Sequence, residues 1–236
     1  MTALSKYSFV FFDLDRTLWD FDANSAETLQ EIYSAYNIDR HIDSFPDFLE
    51  KWNEYNESLW EKYRNGEIDK LTLRNMRFRL TLEYFGLSGQ YPADSMNTEY
   101  MRICPHKGLL CEGAIELLDY LVSKKYRLSI ISNGFSLTQR TKLESSGLSG
   151  YFEKVFTSEW AGSSKPKPVI FRKAFSSLNA PKSRSIMIGD DPVSDIKGAA
   201  NFGIDQIMVN PRSCTADIRP TFKVNSLKEI ITKQIL

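Results

Sequence analysis

The sequence predicts an α/β fold: a parallel sheet flanked by helices, interrupted once by an all-helical insertion. Three observations carry this. Short, mostly apolar runs recur at 9–12, 127–131, 185–188 and 205–209, as expected of strands buried on both faces. Helical stretches separate the last three, which is the pattern of parallel strands joined by right-handed crossovers. Residues from about 18 to 107 read as helix throughout, with strand-and-loop sequence on either side.

The first strand, Phe9-Val10-Phe11-Phe12, runs straight into Asp13 and Asp15, and Thr17 follows. Two acids at the end of a buried strand want a compensating cation, because an unpaired carboxylate is costly away from water. In open α/β sheets the carboxyl ends of the strands are also where ligands bind. A hard divalent metal and a phosphate would satisfy such a pair.

Asn24-Ser25-Ala26-Glu27 has the spacing of an N-terminal capping box for a helix to about Tyr36. A second helix begins near Ser44, with Pro46 tolerated in its first turn. It carries Phe48, Trp52, Tyr55, Leu59 and Tyr63 at helical spacing and stops at Gly66. A third runs from about Lys70 to Phe85 and stops at Gly86. A fourth covers Ala93 to Ile103, before Pro105.

From Gly113 the α/β alternation resumes. A helix at 114–124 leads to the strand 127–131 and to Ser132-Asn133-Gly134. A helix to Ser146 is stopped by Gly147. The strand Lys154-Val155-Phe156, the loop Lys165-Pro166-Lys167-Pro168 and a helix through Leu178 follow. The strand 185–188 ends in Gly189-Asp190-Asp191. A helix over 193–201, the strand 205–209 and a tail helix over 227–235 close the chain.

At 236 residues the chain is long enough for a sizeable core. Lys plus Arg equals Asp plus Glu, so the formal net charge is zero, and a nucleic-acid polymer is not an expected partner. Three scattered cysteines, Cys104, Cys111 and Cys214, suit a reducing compartment better than a disulfide framework. Two lone histidines, His41 and His106, argue against a histidine dyad or a zinc site. No apolar run approaches the length of a membrane span, nor is there a signal-peptide apolar region. The expectation is a cytoplasmic protein.

Acids, a hydroxyl and an ammonium thus collect at four strand ends and their loops: Asp13 with Asp15, Ser132, Lys165, and Asp190 with Asp195. Phosphoryl transfer to a carboxylate needs such a set. The chain resembles the haloacid dehalogenase-like (HAD) hydrolases in all four of their motifs, in order. Asp13-Leu14-Asp15-Arg16-Thr17 matches the first and Ser132 the second. Lys165 before Pro166 matches the third, and Gly189-Asp190-Asp191-Pro192-Val193-Ser194-Asp195 the fourth.

That resemblance implies a Rossmann-like core of residues 1–17 and 108–236, with a helical cap over 18–107. It implies Asp13 as nucleophile, forming an aspartyl-phosphate, and Asp15 as general acid and then general base. It implies Mg²⁺ held by the carboxylates of Asp13 and Asp190 and the backbone carbonyl of Asp15. Ser132, the adjoining Asn133 and Lys165 would bind the phosphoryl group, and Asp195 would orient Lys165 or a metal-bound water. An acid two residues after the nucleophile argues for a phosphatase, since a halide leaving group needs no proton. Arg16 stands where glycine is common in the family.

The run 55–68 with Arg74, Arg77 and Phe78, and the segment Lys142-Leu143-Glu144-x-x-Gly147-Leu148, are similar to the branch of 5′-nucleotidases that favours noncanonical pyrimidine nucleotides. The resemblance implies a Mg²⁺-dependent nucleoside 5′-monophosphatase. Trp19 and Phe21 are the candidate contacts to the leaving group, whereas Trp52, Trp60 and Phe78 read as helical core. The alternatives are a phosphatase of sugar phosphates or other metabolites, or a phosphomutase. A binding module without activity is a third, disfavoured by the complete set of acids and lysine.

Overall fold

The computed structural model describes residues 6–210 and 219–236; Cys214 lies outside them. In chain order, β1 (Phe9–Phe12) is followed by four helices: α1 (Phe21–Ala35), α2 (Phe45–Asn65), α3 (Lys70–Tyr84) and α4 (Ala93–Ile103). Then come α5 (Ala114–Ser123), β2 (Arg127–Ser132), α6 (Ser136–Ser145), β3 (Lys154–Thr157), α7 (Ser158–Ala161) and α8 (Pro168–Leu178). β4 (Ser185–Gly189) leads into a π-helical turn, Pro192–Lys197, and α9 (Gly198–Phe202). β5 (Asp205–Val209), β6 (Phe222–Val224) and α10 (Lys228–Thr232) complete the chain. Two compact units result, one of Met1–Phe21 with Gly108–Leu236 and one of Asp22–Lys107.

The first unit is an α/β layer structure. Its six strands are all parallel and lie in the order β3-β2-β1-β4-β5-β6. This is the doubly wound order, with β1 central. All four residues of β1 are buried, as a strand covered on both faces requires. Phe9 and Phe11 share one face and pack with Ile170, Phe171, Phe175 and Met187. The Phe11 and Phe175 rings stack at 4.5 Å. Asn179, in the left-handed region at φ 51°, stops α8 in the way glycine stops others.

The second unit is helical. Ser44 caps α2 by accepting from the Asp47 N–H at 3.3 Å, and Gly66 ends it at φ 80°. Its core is aromatic: Trp52 meets Tyr100 at 4.8 Å and Phe78 at 6.1 Å.

Three local expectations are corrected. The first helix begins at Phe21, so Asn24 and Ser25 are not its cap. Both are buried, and Ser25 Oγ lies 2.9 Å from Tyr100 Oη, so polar residues that read as a cap are interior contacts. The helix expected over 193–201 opens as a wide turn in which the Ile196 N–H donates five residues back to the Asp191 carbonyl. The tail helix is shorter than 227–235, ending at Thr232. β6 was not expected at all. Three residues with Lys223 at the middle give no readable pattern.

Candidate active site

The strand order reverses between β1 and β4, and both strands end in acids at that point. A switch point of this kind is the ligand crevice of open α/β sheets. Asp13 follows β1, and its N–H donates to the Ile188 carbonyl of β4 at 2.9 Å. Asp190 follows β4 and accepts from Thr17 Oγ1 at 3.2 Å. Asp195, in the π-helical turn, reaches back beneath them. A Cβ on Gly189 would stand 2.3 Å from Asp195 Oδ2, so a residue without a side chain is what admits this carboxylate. Asp191 is not part of the cluster. It caps the turn, accepting from the Val193 and Ser194 N–H groups at 2.8 and 2.7 Å.

Lys165 is the centre of the charge balance. Its side chain is 1% exposed, and Nζ donates to Asp13 Oδ1 at 2.6 Å, Asp195 Oδ1 at 2.7 Å and the Ile131 carbonyl at 2.6 Å. Its three N–H donors are thereby all used. Burial opposes the ammonium charge, but Asp13 and Asp195 outweigh it and hold the lysine firmly protonated. Asn133 builds the loop that delivers Lys165. Its Oδ1 accepts from the Lys165 N–H at 2.7 Å and its Nδ2 donates to the Lys165 carbonyl at 3.0 Å.

Oxygens of Asp13, Asp190 and Asp195 lie within 4.8 Å of one another. Burial raises the carboxyl of Asp13, Lys165 draws it back, and Asp195 and Asp15 push it up again. Asp190 is pushed up to about 7, first by burial and then by the charge of Asp13. Three carboxylates against one ammonium leave two negative charges, and their oxygens are hard donors. A divalent cation such as Mg²⁺ fits this set. Asp195 already spends Oδ1 on Lys165 and Oδ2 on the Asp191 N–H at 3.1 Å. Asp13 and Asp190 are therefore the carboxylates with capacity to hold an ion.

Asp15 points elsewhere. Its Oδ2 accepts from Gln139 Nε2 at 2.8 Å, and Lys142 Nζ pairs with its Oδ1. Its side chain is thus separate from the acid triad. Ser132 Oγ accepts from Gln139 Nε2 at 2.7 Å and from the Gly134 N–H at 3.0 Å, so its own hydrogen is left to donate. Trp19 is fully buried, and Lys142 Nζ stands 4.1 Å from the centre of its ring. Phe21 is half-buried, with the Arg16 guanidinium 4.6 Å from its ring centre. Of the two aromatic candidates, Phe21 alone has surface to offer. Gln139 and Lys142 have no place in the four motifs. Lys142 opens the segment that resembles the 5′-nucleotidase branch, and the only trace of Gln139 in the sequence is its spacing of three from Lys142 on a helix, which puts both on one face.

The model of the haloacid dehalogenase-like hydrolases matches residues 7–203. The chain belongs to that family. It is 31% identical over 228 residues to the pyrimidine 5′-nucleotidase PynA of Streptococcus pneumoniae, covering 95% of this chain and 94% of that protein. It is 32% identical over 228 residues to the pyrimidine 5′-nucleotidase YjjG of Escherichia coli, covering 95% and 96%. Among solved structures it is similar to the HAD-hydrolase YfnB from Bacillus subtilis, with a TM-score of 0.86 and 27% identity over 98% of this chain and 100% of that one. That crystal structure has magnesium bound and is described as revealing interdomain movement. The chain is an enzyme, a HAD-type phosphatase. No helix among the described residues is long and apolar enough to cross a membrane.

Proposed function

We propose that this protein is a Mg²⁺-dependent phosphomonoester hydrolase that works through an aspartyl-phosphate on Asp13, with pyrimidine nucleoside 5′-monophosphates as its substrates. The observation that carries the reading is the cluster of buried Asp13, Asp195 and Lys165 with half-buried Asp190 at the switch point, with Asp15 held apart from it by other partners. The nucleotide preference is supported by the two pyrimidine 5′-nucleotidases that the chain resembles over nearly its whole length.

In this reading the Asp13 carboxylate attacks phosphorus, and the bond to the leaving oxygen breaks. Asp15 gives that oxygen a proton. The Ser132 hydroxyl donates to a phosphoryl oxygen, Lys165 sets its positive charge beside the phosphoryl group from its place against Asp13, and Asn133 sets the position of the lysine loop rather than touching phosphate through its side-chain amide. Water then attacks phosphorus, Asp15 takes up its proton, and Asp13 is released as the carboxylate. Mg²⁺, held by Asp13 and Asp190 with the backbone carbonyl of Asp15, supplies positive charge against the carboxylates and the phosphate. Phe21, half-buried, is the candidate contact to the leaving group.

The test is phosphate release from nucleoside monophosphates, sugar phosphates and p-nitrophenyl phosphate, with Mg²⁺ and with EDTA. Release that needs the metal, favours pyrimidine monophosphates and falls at least about 10⁴-fold in Asp13→Asn is the expected result. Preference for sugar phosphates would keep the chemistry and overturn the substrate. No release from any ester would overturn both.

A further inference from the structure

Helix α6 brings two residues to Asp15 that no motif assigns. Gln139 is fully buried and Lys142 is 5% exposed, and they lie one turn apart on the same face. Gln139 Nε2 donates to Asp15 Oδ2 at 2.8 Å and to Ser132 Oγ at 2.7 Å, so one amide ties together the ends of two strands. Its Oε1 is buried without a hydrogen-bond partner. Turning the amide over would set that oxygen against the Asp15 carboxylate, so the observed orientation persists despite the cost of an unmade bond. Lys142 pairs with Asp15 Oδ1, and its ammonium lies against the rings of Trp19 and Phe21, 4.1 and 5.6 Å from their centres. An ammonium is buried at this cost only where a carboxylate and aromatic faces receive it. The neighbouring loop is shaped to match. A Cβ on Gly134 would fall 1.9 Å from Gln139 Nε2.

We propose that Gln139 and Lys142 are positioning residues. Each fixes one oxygen of Asp15, so that the carboxyl group meets the leaving-group oxygen in a set orientation, and Trp19 backs the lysine. Trp19 then contributes to the reaction from within the core and not by touching substrate. The inference rests on the phosphatase reading of the site and assigns residues that reading does not use.

The leaving group separates this role from a merely structural one. An alkoxide needs the proton of Asp15 as it departs, whereas p-nitrophenolate leaves without one. The phosphorylation step is measured in single turnovers with a nucleoside monophosphate and with p-nitrophenyl phosphate, in wild type, Gln139→Leu, Lys142→Met, Lys142→Arg and Gly134→Ala. Lys142→Met should slow the step by about 100-fold on the nucleotide and by no more than about threefold on the nitrophenyl ester, and Gln139→Leu, which also releases Ser132 Oγ, should slow both esters but the nucleotide at least about tenfold more. Gly134→Ala, which displaces the amide with α6 unchanged, should show the same split, and Lys142→Arg should recover part of the loss. Equal losses on the two esters, or none, would overturn the inference. If Lys142→Met does not fold, the split in Gly134→Ala and Gln139→Leu decides it. If wild type cleaves neither ester, the phosphatase reading fails first and the inference falls with it.

Discussion

Asp190 carries a consequence that can be measured without substrate. Its carboxyl is moved from the ordinary 3.8 to about 7, by burial first and then by Asp13. Between those values the folded protein holds a proton that the unfolded chain has released, so stability falls as the pH rises through this window. In EDTA, Asp190→Asn should therefore match wild type in Tm at pH 4 and exceed it increasingly up to pH 8. A difference that stays constant with pH would contradict the assignment. Mg²⁺ should reverse the order at pH 8, because the ion then meets the charge that the asparagine lacks. At this scale the acids were legible and their partners were not. Asp13 and Asp190 each end an apolar run where a charge has no local reason to be. Gln139 and Lys142 meet Asp15 across 124 and 127 residues of chain, and nothing in a polar helix face records that encounter.

The elements show which local signals were sufficient. Ser44 and Gly66 fix the ends of α2 through backbone rules that act within a few residues, and the structure agrees with them. Asn24 followed the same rules, yet tertiary contacts override it: the helix extends back to Phe21 and the polar residues turn inward. The π-helical turn after Asp191 was equally hidden, since an extra residue per turn leaves no periodic mark over six residues. That turn aims Asp195, and Gly189 opens the space for it. Gly189→Ala should crowd Asp195 away from Lys165 and destabilise the protein by about 1–3 kcal/mol, with turnover falling alongside. Gly66→Ala, where a Cβ meets nothing within 4 Å but φ is 80°, should cost about 1 kcal/mol and leave turnover intact. Urea denaturation of the two variants checks the difference. Equal turnover in both would separate the glycine from the site.

For the whole molecule, the parallel sheet was legible because its central strands β1 and β4 are buried along their whole length and carry mostly Phe, Val, Ile and Met. The exception is β6, an edge strand of three residues that its neighbour β5 holds in place. With its three carboxylates ionised, the cluster carries two negative charges beyond Lys165 at the centre of this sheet, and the protein should then gain from the cation that neutralises them. At a hundred times its dissociation constant, Mg²⁺ should stabilise the fold by about 2.7 kcal/mol. In a protein of this size that amounts to a rise of roughly 5–10 °C in the Tm of the unit that binds it. The rise should be absent from Asp13→Asn, and a similar rise in that variant would place the ion elsewhere. A phosphoryl group carried by Asp13 can be trapped. Asp15→Asn mixed with p-nitrophenyl phosphate and Mg²⁺ should be phosphorylated without needing the acid and then stall without the base. After an acid quench, peptide mass spectrometry should find a hydroxylamine-sensitive phosphoryl group on the peptide bearing Asp13, and none in Asp13→Asn/Asp15→Asn. A phosphoryl group on any other residue, or nitrophenolate release with no modified peptide, would contradict the mechanism.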